Sequence, residues 1–412
     1  MILLKDIVIV SACRTPIGTF GGSLASVPGP KLAAIVMKEA IKRANIDPKL
    51  IGDIRFGCCL EDINALNIAR VGALLAGIPN SIPAVTINRV CISGMEATLS
   101  GAWEIQAGFV DVVLCGGVES MSNVPYMSLE SRWGCRLQDK TFVDGLIHGL
   151  HAGSHYVPYP NDGPIEWARG KPYIMGLTAE FLAQKYNISR REQDEIALRS
   201  HNNVEKATKE GKFKDEIVPV KIEDPKKGEI IVEKDEHFRP GLTMEQLAKL
   251  PPVFIPKTGT VTAGNSSGIN DGAAAMIIMS EEKANELGLK PLAKISGMGI
   301  GACEPELMGF SPVPAVKNLL ERTNRKLEEF ERIELNEAFA AQYLAVEKSL
   351  NLNREITNVN GSGIGLGHPV GCTGARIIVT LIYELIHSNK NIGLATLCGG
   401  GGVSMATIIE KM

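Results

Sequence analysis

Four short segments of this 412-residue chain carry side chains able to combine covalent and proton-transfer chemistry. Cys91 closes the short strand-like stretch Ala84 to Asn88 and precedes Ile92-Ser-Gly-Met-Glu-Ala-Thr-Leu, which has helical apolar spacing. A thiol at a helix start feels the positive end of the dipole, which lowers its pKa and prepares a nucleophile. The same context also suits a buried core cysteine. His368 sits in Gly361-Ser-Gly-Ile-Gly-Leu-Gly-His-Pro-Val-Gly, where glycines let backbone approach a ligand and place an imidazole to take a proton from a thiol. A structural histidine in a tight turn is the alternative. Cys398 follows a strand-like run and precedes four glycines, Gly400 among them, whose N–H groups can form an oxyanion site; a close helix-to-sheet contact would explain them too. Asn336-Glu-Ala-Phe opens an apolar helix, where an N-cap accounts for the asparagine.

Elements must bring these segments together. The first hundred or so residues read as alternating strands and helices: a β-branched run at Ile7 to Val10, helical spacing from Lys31 to Ala44, then strands at Ala84 to Asn88 and Val112 to Cys115. That alternation predicts an α/β layer architecture. From about residue 122 to 250 the chain is more polar, with an amphipathic helix expected over Arg190 to Thr208 behind the cap Ser189. Alternation resumes near residue 292, with a helix expected from about Gly374 to Ile386. The C-terminal part echoes the first: Thr86 to Cys91, a helix and Val112-Val-Leu-Cys-Gly-Gly resemble Asn358 to His368, a helix and Leu394-Ala-Thr-Leu-Cys-Gly-Gly. A duplicated βαβ unit with a pseudo-twofold would bring the reactive loops face to face.

Bulk properties exclude several classes. With 45% hydrophobic and 22% charged residues the composition is globular, and at this length two or three packed units are expected. The net charge of −3 gives no footprint for nucleic acid or an anionic membrane. Nine cysteines without a C-x-x-C pair point to free thiols in a reducing compartment. No secretory signal, membrane-length apolar run or peroxisomal address is read, so a cytoplasmic location is expected.

Taken together, Cys91-x-Ser-Gly, Asn336-Glu-Ala-Phe, Gly367-His-Pro-x-Gly and Cys398-x-Gly-Gly-Gly resemble the four signature blocks of thiolases, in the same order. Arg14-Thr-Pro-Ile-Gly, Gly116-Gly-Val-Glu-Ser-Met-Ser-Asn and Val261-Thr-Ala-Gly-Asn-Ser-Ser-Gly extend the resemblance over nearly the whole chain. The resemblance implies a duplicated α-β-α-β-α layered core with an inserted loop domain. Its expected division is 1–121 plus 252–291, the inserted 122–251, and 292–412. It also implies coenzyme A thioesters as substrates, no cofactor or metal, and a homo-oligomer, dimer or tetramer. Cys91 would be acylated, His368 would activate it, and Cys398 would move the proton of the second substrate's α-carbon or of the leaving thiolate. Asn336 would hold a water joining Nε2 of His368 in one oxyanion hole, with the N–H groups of Cys91 and Gly400 forming another. Ala263 and Ser267 match positions lining the pantetheine channel, and Met175, Ala338 and Phe339 match the acyl-pocket border. Lys226 and Lys227 would face nucleotide phosphates or simply be solvated. Acetoacetyl-CoA is the expected substrate, with longer 3-ketoacyl-CoA as the alternative.

Departures from the family pattern are Glu96, Ser404 and the 147–174 stretch, which replaces a shorter link and leads into Met175. Within it His148, His151 and His155 have a spacing that presents three imidazoles on one helical face, toward a metal or, more simply, in a polar loop. Among rivals, other condensing enzymes of this fold lack a counterpart of Cys398, and a synthase using a carboxylate base would have only Glu96. Gly297-Met-Gly-Ile-Gly-Ala matches a dinucleotide fingerprint, but Cys303-Glu-Pro-Glu follows where a helix is required. A catalytically dead binding protein would not need all four segments intact.

Overall fold

The N-terminal β-branched run extends further than its spacing predicts: β1 spans Ile7–Arg14 with every residue buried, in a computed structural model that describes residues 5–224 and 228–412. A strand covered on both faces loses the alternation that marks a half-exposed one. After it come α1 (Gly29–Ala44), β2 (Asp53–Gly57), α2 (Ile68–Leu75), β3 (Ala84–Ile87), α3 (Ser93–Gln106) and β4 (Val112–Ser120). A more polar region carries α4 (Met175–Lys185) and α5 (Arg190–Lys209); the Ser189 and Glu192 side chains form the capping box that starts α5. β5 (Asn270–Ser280) returns to the main sheet. A second series follows: β6 (Ala293–Ala302), α6 (Pro312–Thr323), β7 (Arg332–Leu335), α7 (Ala340–Leu350), α8 (Val370–His387), β8 (Ile392–Gly399) and β9 (Val403–Lys411). Gly297 to Ala302 stay extended inside β6, so no helix follows the glycines as a dinucleotide fingerprint requires.

Strand order shows the duplication. The main sheet runs β7-β8-β9-β6-β1-β5-β4-β2-β3, with β1 and β6 meeting antiparallel at its centre. Outward from that junction the two series mirror each other, β1-β5-β4-β2-β3 against β6-β9-β8-β7. In each, the inner pairs are antiparallel and the outer ones parallel. The second series is one strand short. Where the echo with Thr86 to Cys91 predicts a strand before His368, Thr357 makes only a single bridge to Ile333 and Asn358 turns to φ +49°. The Asn358 side chain ties that turn to the end of β7, accepting from Leu335 N–H at 2.9 Å and donating to its carbonyl at 2.8 Å.

Layering follows from which faces are apolar. α3 and α8 share a core with both halves of the sheet, through Met95, Leu99, Ile378 and Leu381 packed with Ile9, Ile278, Leu397 and Met405. α1 and α2 cover the other face of the first half, and α6, α7 and α4 that of the second. The order is therefore α-β-α-β-α. Glycines allow the central pair to touch: a Cβ on Gly94 would lie 2.8 Å from Ala375 N, and one on Gly374 2.4 Å from Met95 N. α8 does have the length and apolarity of a membrane span, against the sequence reading, but 83% of it is buried in this central layer.

Candidate active site

Cys91 stands in the turn from β3 to α3, and the turn is strained. Val90 has φ +52°, a left-handed conformation that β-branched residues rarely adopt and that costs about 1–3 kcal/mol. Neighbours hold it there: Val90 N–H donates to Asn88 Oδ1 at 2.9 Å, Arg89 N–H to Ser93 Oγ at 2.9 Å, and Ser93 Oγ to the Val90 carbonyl at 2.5 Å. α3 begins at Ser93 with Ile92 as N-cap, so Cys91 lies just outside the helix. Burial pushes its thiol up to about 11; the N–H groups of Gly400 and Cys91 facing the sulfur oppose the rise, and Glu119 adds to it. The lowering expected from the helix dipole is thus overturned, because desolvation of a thiolate outweighs a terminal dipole here. A neutral thiol of this kind needs a base.

His368 supplies an imidazole in the matching turn before α8. Gly367 has φ +105°, and a Cβ there would sit 2.6 Å from the Asn270 side-chain amide, so glycine is required. His368 N–H donates to Asn270 Oδ1 at 2.8 Å. Its Nδ1 is 2.7 Å from Thr373 Oγ1, and that hydroxyl donates its own proton to the Pro369 carbonyl at 3.0 Å. Nδ1 is therefore the donor, and Nε2 keeps a lone pair. Burial, reinforced by the Arg376 charge, lowers the ring pKa to about 3, so the imidazole is neutral. The helix starts at Val370, four residues earlier than its sequence pattern predicts, because proline at the N-cap and two small residues open the first turn.

Asn336 directly follows β7 and lies 3.4 Å from His368 Nδ1 through its Nδ2. The contact is to Nδ1, not to the expected Nε2. Asn336 is also no helix cap, since α7 starts at Ala340 behind Phe339. Its Oδ1 has no hydrogen-bond partner among the described residues.

Cys398 lies within β8, opposite Ser404 of β9, rather than in a flexible glycine tail. Ser404 Oγ donates to the Leu397 carbonyl at 2.7 Å, which makes this departure part of the strand pairing. Burial, then the neighbouring Cys91, push the Cys398 thiol well above the ordinary range. Gly400 closes on the nucleophile turn: a Cβ there would lie 3.1 Å from Val90 Cγ1 and 3.4 Å from the Met175 sulfur.

Cys91 and His368 line one cavity of about 460 Å³, together with Met175, Ala263, Ser267, Ala338 and Phe339. Two backbone bonds join the Ala338–Ala340 segment to the Ala263–Ser267 loop: Ser267 N–H to the Ala338 carbonyl and Ala340 N–H to the Asn265 carbonyl, both 2.9 Å. Ala263, His237 and Arg239 also border a second cavity of about 840 Å³. Lys226 and Lys227 lie outside the described residues. Glu96 is paired with Arg89 Nε at 2.9 Å and does not line the cavity. The 147–174 stretch contributes Ile147, Leu150 and Ile174 to the cavity wall. His148 and His155 stack with ring centroids 4.2 Å apart and His151 is 4.5 Å from His155. Their faces meet rather than their nitrogens, and the described residues contain no group of three arranged to hold a metal.

Sequence reasoning missed Asn270, Thr373 and Glu119. Thr373 was findable, five residues after His368 in the same glycine-rich block; the other two meet the His368 turn only through tertiary structure.

Comparison with known proteins agrees along the whole chain. Residues 7–282 match the family model "Thiolase, N-terminal domain" and residues 289–411 match "Thiolase, C-terminal domain". An acetyl-CoA acetyltransferase of Syntrophomonas wolfei is 45% identical over 414 positions, covering 100% of both chains. The crystal structure of the Bacillus anthracis acetyl-CoA acetyltransferase superposes with a TM-score of 0.93 at 46% identity, covering 100% of each chain. Human mitochondrial 3-ketoacyl-CoA thiolase in complex with CoA superposes at 0.91 and 40% identity, over 100% of this chain and 99% of that one. Full-length family matches, relatives above 40% identity and the mirrored five-layer core lead to one conclusion: the chain belongs to the thiolase family.

Proposed function

We propose that the protein is an acetyl-CoA C-acetyltransferase that interconverts two acetyl-CoA with acetoacetyl-CoA and CoA through an acyl-Cys91 intermediate. The observation that carries this reading is the convergence of a neutral thiol and a neutral imidazole on one apolar-walled cavity. In the first half-reaction His368 Nε2 takes the Cys91 proton, the sulfur attacks the thioester carbonyl, and the departing CoA thiolate takes the Cys398 proton. In the second, the Cys398 thiolate removes an α-proton from another acetyl-CoA, the carbon attacks the acyl-Cys91 carbonyl, and Cys91 leaves with the proton held on His368. Both thiols and the imidazole return to their starting states. Asn336 and the N–H groups of Cys91 and Gly400 supply donors for the two oxyanions.

The paired cavities suit a thioester whose acyl end lies at Cys91 and whose pantetheine passes Ala263 and Ser267 toward the larger, more polar cavity. That a human relative is known in complex with CoA supports CoA thioesters as the ligand class. We also propose a homo-oligomer in a reducing, cytoplasmic setting. The free state of all nine cysteines supports the setting, and exposed Tyr126, Trp133, Leu137 and Phe142 in the middle region support a subunit contact.

Thiolysis rates across 3-ketoacyl-CoA substrates of increasing chain length test the short-chain reading, which expects the highest kcat/KM on acetoacetyl-CoA. Equal or faster thiolysis of much longer chains overturns it in favour of the longer-chain alternative.

A further inference from the structure

Helix α8 begins behind Pro369 and has no side-chain cap of its own, although its first turn carries free N–H donors that buried helices need satisfied. Glu119, at the end of β4 in the other half of the molecule, fills that need. It is fully buried, and its Oε2 accepts from Gly371 N–H at 2.8 Å. The same carboxylate accepts from Cys59 N–H at 2.9 Å, from Leu60 N–H at 3.2 Å and from Cys58 Sγ at 3.5 Å. One side chain thus joins three segments: the β4 terminus, the Cys58–Leu60 turn and the first turn of α8. Gly371 is three residues from His368, and Val370 between them lines the cavity beside Cys91. A Cβ on Gly371 would lie 2.7 Å from the Glu119 carboxylate and 2.7 Å from Cys59 N, so the three segments meet without slack.

We propose that Glu119 is a positioning residue for catalysis: by capping α8 from the opposite half, it fixes the turn that carries His368 relative to Cys91. The proposal rests on the acyltransferase reading above for its activity assay. A carboxylate at a helix N-terminus satisfies orphan donors and compensates the helix dipole, and a base must be held to within about an ångström of its target. Glu119 does not touch the reacting atoms itself. Its charge nevertheless acts on Cys91, whose thiol it holds higher. The titratable groups that face the Glu119 carboxylate are Cys58, Cys59 and nearby Glu61 on one side, Cys91 on another, and Cys372 from α8.

The test is Glu119→Gln, which keeps the shape and removes the charge and one acceptor. Expected are a KM for acetoacetyl-CoA within about threefold of the parent and a kcat lower by about a hundredfold, the effect of a misplaced base. Iodoacetamide alkylation of Cys91, followed by mass spectrometry across pH 6–10, provides a second readout; because loss of packing would also lower the thiol's pKa by hydrating it, the shift counts only where circular dichroism matches the parent. With the Glu119 charge gone, the alkylation profile shifts to lower pH. Glu119→Asp, which keeps the charge but is too short to reach Gly371, is expected to lower kcat without that shift. A Glu119→Gln enzyme with kcat within twofold of the parent overturns the proposal, as does a loss of kcat that only tracks loss of folded protein by circular dichroism. If the parent protein itself performs no thiolysis, it is the acyltransferase reading that fails, and the alkylation profiles still decide whether the Glu119 charge reaches Cys91.

Discussion

Helices α3 and α8 hold equivalent places in the two halves and touch through Gly94 and Gly374, yet their first turns are built in opposite ways. The turn before α3 is held mainly from within: three bonds among Asn88, Arg89, Val90 and Ser93 shape it, at the cost of a left-handed valine, and one tie leaves it, from Asn88 Nδ2 to the Cys59 carbonyl at 3.0 Å. The turn before α8 is unstrained at its histidine but depends on distant side chains, Asn270 at the His368 amide and Glu119 at the Gly371 amide. A nucleophile that is attacked and released in place benefits from a rigid local elbow. A base that must meet it is set by the assembly of the two halves. Duplication gave two helix starts, and the chemistry divided the roles between them.

The largest break in this comparison is removal of the nucleophile itself. Cys91→Ala is expected to lower acetoacetyl-CoA thiolysis by at least about four orders of magnitude, as loss of a covalent nucleophile does elsewhere. Incubation with acetyl-CoA and intact-mass measurement should then find no acetyl adduct. A residual rate within a hundredfold of the parent would remove Cys91 from the covalent role.

Next in size is Asn336→Ala, which leaves both turns intact and removes a donor beside the His368 ring. Loss of one oxyanion donor typically costs about 10²–10³ in kcat. Steady-state kinetics should show that loss mainly in kcat, and a change of less than tenfold would make Asn336 a framework residue only.

The same contrast explains what the sequence made legible. Segments whose geometry is local were readable: the α5 start at Ser189, the strand at Ile7, and the place of Cys91 in a turn between strand and helix. Properties fixed by assembly were not. The Cys91 pKa was expected to fall with the helix dipole and instead rises, because burial decides it. For Asn336 the local pattern offered only a cap; its place beside His368, 32 positions away, came from the family resemblance, and the structure puts it at Nδ1 instead of the expected Nε2. Glu119 sits in Gly116-Gly-Val-Glu, where nothing local announces a partner at Gly371. The echo between halves predicted the pseudo-symmetry but overshot at Asn358, where an asparagine in a left-handed turn replaces the strand.

A smaller effect is expected where the two helices meet. Gly374→Ala would put a methyl carbon 2.4 Å from Met95 N, backbone that cannot swing aside. Overpacking of this kind costs about 1–3 kcal/mol. Thermal unfolding should show a lower Tm, with KM little changed. The mirror substitution Gly94→Ala meets Ala375 N at 2.8 Å and should cost somewhat less. Equal stability of both variants and the parent would show that the central layer is looser than its glycines imply.

The last expectation is an absence of change with pH at the base. Burial first, and the Arg376 charge second, lower the His368 pKa to about 3 from its ordinary value near 6.5. The sign follows directly: both influences disfavour the charged ring, so His368 stays neutral above about pH 4 and its lone pair on Nε2 is available throughout the working range. Nitrogen chemical shifts of the folded protein should therefore show no titration of this ring between pH 5 and 8. Any acid limb of kcat in that window then comes from another group, and Glu119, pushed up to about 7 by burial, is the buried carboxyl adjoining the same turn. The Glu119→Gln variant should lose that limb. An inflection of the His368 shifts near 6.5 would mean that the imidazole is solvated and becomes charged below that pH, and that the base turn is open to water in a way the nucleophile turn is not.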